Sequence, residues 1–293
     1  MRTMKKSWDD VLFQVLVNLF LVSILVAMIL PLWRVFVMSV TPLNYIDTKT
    51  FGIWLNPAIW DFEPYKQLLS HPSFLRATTN SAIITLGGVT INMLLTVPMA
   101  YALSNRRLPG RKVVITLVLI PFLFNAGMIP TYLVVSGFDL IDTYWAVILP
   151  GAINITNLLI MKSFFESLPD ELEEAARLDG ANDLQVLARV VLPLSKPILL
   201  TIGLFYLVGH WNEFFNAILY LNDANLQPLP VLLRNILLAS NINEYVESGA
   251  FSSASVHAIK AASVFLTMLP MVIIYPWIQG YFTKGTLLGG VKE

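Results

Sequence analysis

The segment Trp211-Asn212-Glu213-Phe214-Phe215-Asn216 sets one carboxylate among amides and aromatic rings inside an apolar run. Such a group suits a polyhydroxylated ligand, because carboxylates and amides bond hydroxyls and aromatic faces stack on sugar rings. Polar side chains inside an apolar span are costly, and mark a pathway by default. Trp211, Asn212, Glu213 and Asn216 are therefore candidate substrate contacts, with Lys260, near His257, as the cation that an acidic ligand would want. The plainer alternative is that intramembrane amides bond neighbouring helices, at about 0.6 kcal/mol each. That alternative fits most of Asn80, Asn92, Asn125, Asn154 and Asn157. A proton-coupled secondary transporter in which Glu213 titrates is a second reading of the same carboxylate.

The other informative stretch is Glu174-Ala175-Ala176-Arg177-Leu178-Asp179-Gly180-Ala181-Asn182, a polar loop between very apolar segments. Ser167 with Asp170 resembles a capping box, and Pro169 suits a first helical turn. Asp170, Glu171, Glu173 and Glu174 crowd the helix start, where the macrodipole favours negative charge. Leu168, Leu172, Ala175 and Ala176 share a face at helical spacing. Gly180 is expected to end the helix in the left-handed conformation. A second short helix is expected from Asp183, stopped by Pro193. The two helices, connected by a turn, make a handle on which small Ala175 and Ala176 permit close approach. A connector that only packs under its own bundle is the bland alternative.

Other chemistries lack their residues. There is no cysteine, and His71, His210 and His257 are scattered, so no metal-ligand spacing exists. No G-x-x-x-x-G-K-[ST] occurs; Gly280 and Gly285 are spaced for one, but Thr286 follows in place of Lys. No G-x-S-x-G occurs either, and a membrane-embedded enzyme is the weakest reading. The net charge of zero gives no argument for nucleic acid.

The elements that must position these residues are membrane spans. The chain of 293 residues is 56% hydrophobic and 13% charged, against about 25% charged in soluble domains. Six runs reach the roughly 20 apolar residues that a spanning helix needs, at about 11–32, 79–103, 113–135, 143–165, 197–221 and 259–281. The first reads as a retained signal anchor, too long for a cleaved leader. Positive charge favours the cytoplasmic side. One set of loops and ends carries Arg2, Lys5, Lys6, Arg106, Arg107, Arg111, Lys112, Lys162, Arg177, Arg189, Lys196, Lys284 and Lys292; the other carries only Lys49, Lys66, Arg76 and Arg234. Both termini and the 166–192 loop are thus expected in the cytoplasm. An outer loop with Trp54, Trp60, Phe62 and Tyr65 is expected to pack on the membrane surface or on a partner. No internal repeat of the kind common in secondary transporters is visible.

Glu174-Ala175-Ala176, three residues, Gly180, nine residues, Val190 and then Leu192-Pro193 resembles the EAA loop of bacterial ABC importer permeases, with Val190 where that family usually has Ile. Length, six spans and the tail Lys260-Ala-Ala-Ser to Gly289-Gly290-Val291-Lys292 are similar to the MalG-like carbohydrate group, in its oligo- and polysaccharide branch. Glu293 replaces a usual final Gly.

The resemblance implies an all-α polytopic membrane protein, 1–293 forming a single transmembrane domain, with a cytoplasmic coupling helix between the fourth and fifth spans. It implies a permease of the bacterial plasma (inner) membrane, not an enzyme, that forms half of a carbohydrate pathway. Its partners would be a second homologous permease, two ATP-binding subunits that hold the ATP and Mg, and an extracytoplasmic sugar-binding protein. No cofactor is expected on this chain. Glu174, Ala175, Ala176, Asp179 and Gly180 would couple to the ATPase, and Gly290, Val291 and Lys292 would touch it. Asn241, Asn243, Glu244 and Tyr245 would tip the loop that meets the sugar-binding protein.

Overall fold

The computed structural model describes residues 8–42, 56–124, 126–238 and 256–289, with side chains as far as Pro276. The described residues are all-α, with no strand among them. In chain order the helices are α1 Trp8–Ser39, α2 Glu63–Ser70, α3 Pro72–Ser104, α4 Arg111–Leu123, α5 Met128–Gly137, α6 Tyr144–Ile148, α7 Ile155–Phe165, α8 Asp170–Leu178, α9 Asp183–Val186, α10 Lys196–Trp211, α11 Phe215–Tyr220, α12 Leu229–Leu238 and α13 Val256–Gly289. A π-helical stretch, Leu187–Val191, and a helical turn, Leu192–Leu194, join α9 to α10.

Three helices are each long and apolar enough to cross a membrane: α1, α3 and α13 as far as Pro276. Three further candidates are bent pairs, α4 with α5, Tyr144–Gly151 with α7, and Asp183–Leu194 with α10. Where one helix is expected over 143–165, the two pieces meet at 49°. Pro150 has no amide hydrogen to continue the ladder, and Asn154 restarts it by accepting the Asn157 amide at 3.1 Å. The run expected as one helix over 197–221 stops at Trp211 and resumes at Phe215. Pro193 does not stop the second handle helix either. It sits in the first turn of Leu192–Leu194, where a missing N–H costs least. The chain turns at Ser195, whose amide bonds Val191 O at 2.9 Å.

The chain divides into two compact units, Met1–His71 with Leu233–Met268, and Pro72–Leu232 with Leu269–Glu293. In the first, the apolar α1 is exposed along most of its length, and becomes buried only near Val37 and Ser39. There Phe36 packs edge-on to Trp60 at 5.4 Å and against Phe265 at 5.3 Å. Tyr65 stands edge-on to Phe265 and bonds the Ser39 hydroxyl. Trp60, Phe62 and Tyr65 of the aromatic loop expected to face outward thus pack within their own unit, while Trp54 lies outside the described residues.

In the second unit α3 is the central element, packed on α10 and α7. Its interior face carries Ile84, Ala100 and Leu103, with polar residues set between them. The buried amides among them meet partners, as they must, whereas the Thr85 hydroxyl has none among the described residues. Asn80 donates to Asn225 O and Gln227 O and accepts from the Tyr144 hydroxyl. Asn92 donates to Gly151 O at 2.9 Å and meets His210 Nε2 at 3.1 Å. Thr96 bonds the Tyr206 hydroxyl at 2.8 Å, and Tyr206 accepts the Asn154 amide. These asparagines hold helices and loops together, the plainer of the two roles weighed above.

Candidate functional site

The handle is built from α8 to the turn at Leu192–Leu194. Pro169 stands at its N-cap position with no side-chain cap, and the expected Ser167 capping box is absent. The Ser167 hydroxyl instead donates back to Phe164 O at 2.7 Å, a local bond that competes with capping. Asp170, Glu171 and Glu173 do lie in the first turn of α8.

Gly180 ends α8 at φ +85°, the left-handed conformation expected of it. Its amide bonds Arg177 O and the next amide, Ala181, bonds Ala176 O, each at 3.0 Å. That pair of bonds is a Schellman motif, and its apolar contact is present too, since Ala176 and Ala181 both pack on the core formed by Ala100, Leu103, Phe165, Val186 and Val191. Directly after the turn Asn182 and Gln185 form a reciprocal capping box, at 2.9 and 3.0 Å, which starts α9. Its local signal is the N-x-x-Q spacing of Asn182 and Gln185.

The expected single apolar face is divided. Leu168 and Ala176 pack on the unit's own core, whereas Leu172 and Ala175 are exposed. Leu178 and Leu184 stand out at 89% and 75% exposure. Asp179 occupies the C-cap of α8 and is exposed. Glu174 pairs with Arg107 of the Asn105–Gly110 turn at 3.2 Å. Glu173 accepts from the Tyr101 hydroxyl at 3.2 Å and lies 3.8 Å from Arg177, which pairs with Asp183 at 2.7 Å. Glu166 bridges Arg111 and Lys162 below α7. The α3–α4 turn and both handle helices are thereby tied together by polar contacts; Glu173–Arg177 and Lys162–Glu166 have i,i+4 spacing, whereas Tyr101–Glu173, Arg107–Glu174 and Arg111–Glu166 join residues that spacing does not relate.

The carboxylate in the apolar run is already engaged. Glu213 lies in the break between α10 and α11, and its two oxygens accept the Asn216 amide at 3.0 Å and the Asn216 side-chain amide at 3.2 Å. It therefore satisfies the start of α11, where a negative charge is favoured. Asn212 is exposed and donates to Val208 O, and Trp211 is buried. Lys260 belongs to the other unit, where its ammonium donates to Leu237 O at 2.8 Å, at the end of α12. Asn241, Asn243, Glu244 and Tyr245, like Gly290, Val291 and Lys292, lie outside the described residues, as does Asn125.

Asp142 holds the loop after α5 to the loop after α11. It has φ +58° and accepts the Asn222 and Asp223 amides at 2.5 and 3.0 Å. The bond from the Asp223 amide outweighs desolvation, and with the Asn222 bonds it holds the Asp142 carboxyl below its ordinary range. Beside it an open, mainly apolar groove of about 360 Å³ is lined by Ile83, Ile91, Tyr144, Trp145 and Leu226. Among the described residues no group of His, Asp or Glu is placed to hold a metal ion.

Three comparisons bear on this geometry. A family profile described as "Binding-protein-dependent transport system inner membrane component" matches residues 89–287. Protein LplC of Bacillus subtilis (strain 168) is 40% identical over 293 residues, with 99% of this chain and 98% of that protein covered. The polygalacturonan/rhamnogalacturonan transport system permease protein YtcP of the same organism is 41% identical, with 96% and 98% covered. Among solved structures, a chain from a bacterial ABC transporter involved in the import of the acidic polysaccharide alginate superposes with a TM-score of 0.88 at 34% identity, over 96% of this chain and 100% of that one.

Proposed function

Because this chain belongs to the family of binding-protein-dependent transport system inner membrane components, and so is a permease component of a carbohydrate ABC importer rather than an enzyme, we propose that it forms half of an oligosaccharide pathway and takes its energy through the handle. The family works in general with a partner permease, an ATPase and a substrate-binding protein. In the reading advanced here there are two ATP-binding subunits, which hold the ATP and Mg, and both termini and the handle face the cytoplasm. The spans are α1, α3, α4 with α5, Tyr144–Gly151 with α7, α10 with α11, and α13.

The observation that carries this reading is the handle itself. Its backbone is fixed from beneath by the Schellman turn and the Asn182 box, while Leu172, Ala175, Leu178 and Leu184 are left exposed above it. A loop that served only its own bundle would bury such residues. Glu174, Asp179 and Gly180 complete that surface, and the tail through Gly290, Val291 and Lys292 is assigned to the same partner. Asn241, Asn243, Glu244 and Tyr245 are assigned to the sugar-binding protein.

What supports an oligosaccharide substrate is that two of the similar proteins are named for polysaccharide transport, of polygalacturonan/rhamnogalacturonan in one and of alginate in the other. Asn212, exposed at the break after α10, and the neighbouring Asn216 offer amides to such a ligand. The proton-coupled alternative is not favoured. The family match points to an ATP-driven system, and Glu213 is bonded to a helix start instead of standing alone.

The test is co-purification of the chain with its companion permease, ATPase and binding protein. ATP turnover would then be screened against galacturonate oligomers, alginate oligomers and neutral arabino-oligomers. Stimulation by at least one oligomer in the presence of binding protein is expected. A purified complex without an ATPase subunit would overturn the reading.

A further inference from the structure

Helix α3 spans the second unit, and its polar contacts form a series. At Asn92 it meets the Gly151 loop and His210 of α10. At Thr96 it meets Tyr206, also on α10, and through that hydroxyl the Asn154 cap of α7. At Tyr101, near its end, it meets the handle, the hydroxyl donating to Glu173 at 3.2 Å. The Tyr101 ring also stands edge-on to Phe165, the last residue of α7, at 6.4 Å. Glu173 carries the series on through Arg177 to Asp183, so both handle helices are linked to one tyrosine hydroxyl. Pro98 lies between Thr96 and Tyr101. It removes one backbone bond there, and makes that point the natural place for α3 to flex.

We propose that Tyr101 is a positioning residue for coupling, whose bond to Glu173 passes displacement of the handle to α3 and so to the contacts at Thr96 and Asn92. The proposal rests on the reading that the handle meets the ATPase. The bond is suited to the task. It is partly buried and charge-assisted, hence stronger than a neutral one. It is also directional, unlike the exposed Arg107–Glu174 pair, which solvent screens. The apolar contacts beneath the handle resist lifting, because separation would expose them to water, but they lack direction; the hydrogen bond adds resistance to sliding.

The experiment uses the full complex with its ATPase, in nanodiscs, with one cysteine introduced by Ala152→Cys beside the Gly151 contact. The chain has no cysteine of its own. The probe is the reaction rate of that cysteine with N-ethylmaleimide, with and without ATP, Mg and vanadate. With Tyr101 present, nucleotide should change the rate about threefold or more, within the usual range of coupling energies. Tyr101→Phe, which deletes one oxygen, should remove most of that response in a complex that still assembles.

Glu173→Ala should do the same, and Glu173→Gln, which still offers an oxygen to the hydroxyl, should restore it. The double variant Tyr101→Phe with Glu173→Ala should be no worse than either alone, the mark of one shared interaction. An unchanged response in Tyr101→Phe, or additive losses in the double variant, would overturn the proposal. So would a cysteine that ignores nucleotide when Tyr101 is intact. A separate arm carries Ala175→Cys with a thiol-to-lysine cross-linker. No cross-link to the ATPase removes the reading of the handle itself, whereas a cross-link with an unaltered Tyr101→Phe response removes only the tyrosine.

Discussion

Gly88 lies directly against the imidazole of His210. A Cβ on that glycine would stand 2.4 Å from His210 Nε2 and 2.6 Å from two ring carbons. The ring cannot retreat without giving up its contact with Asn92. Gly88→Ala should therefore force α3 and α10 apart, and cost about 1–3 kcal/mol as an overpacked core does. Gly87 is the control, because its added Cβ would meet only Ile148 Cδ1, at an ordinary 3.6 Å. Thermal unfolding of the two variants in detergent should separate them clearly. Equal midpoints would mean that the helix crossing is looser than described.

At Gly180 the obstacle is conformation and not space. Nothing lies within 4 Å of an added Cβ, but φ is +85°. Gly180→Ala should cost about 1–2 kcal/mol, and Gly180→Val more, because a branched side chain fits that region worst. Insertion should persist while co-purification of the ATPase or ATP-driven uptake falls. Normal uptake by Gly180→Val would show that the Schellman turn does not fix the handle surface.

Glu213 separates a helix start from a proton site. Glu213→Gln keeps an oxygen for the Asn216 amide and should retain uptake. Glu213→Leu loses the acceptor, at about 1 kcal/mol for a lost cap, and should lower uptake severalfold. If Glu213→Gln abolished uphill transport, and an uncoupler did the same to the parent with ATP maintained, the ATP-driven reading would fail.

Acid should loosen the two loops that Asp142 joins. Its carboxyl is held below the ordinary aspartate value of about 3.8 by the bonds from Asp223 and Asn222. The stability it contributes is present above that value and is lost as pH falls through the lower, folded pKa. Asp142→Asn keeps a side chain tolerant of positive φ but weakens the acceptor. The variant should melt earlier than the parent near neutrality, and the gap should close once the pH is taken well below 3.8. A gap that stays constant with pH would show that the Asn222 and Asp223 amides do not depend on the charge.

Much of the handle was legible in the sequence because its signals are local. A glycine after a helical run and an acidic first turn each act within a few residues. The all-α character was legible for the same reason. Some local signals misled, Pro193 and the helical spacing of Leu172 and Ala175 among them. Ser167 and Asp170 have capping-box spacing, but the Ser167 hydroxyl turns back to Phe164. Glu213 sits between apolar flanks that read as one span, so the helix break that it caps was hidden. The ties that set the geometry join residues far apart in the chain, Tyr101 to Glu173, Asp142 to Asn222 and Asn92 to His210. No periodicity relates such pairs, since only the folded packing of α3 on α7 and α10 brings them within reach.

The length of α3 has a mechanical consequence. Its 33 residues make a rod about 50 Å long at roughly 1.5 Å per residue, well beyond the roughly 30 Å of a bilayer's hydrocarbon layer. Its arm from Pro72 to the joint at Pro98 is stiff enough to act as a lever. Rotation of that arm by about 5° about one end displaces the other by about 3 Å, at the rise of roughly 1.5 Å per residue. That is enough to break hydrogen bonds at the far end and remake them with a new neighbour.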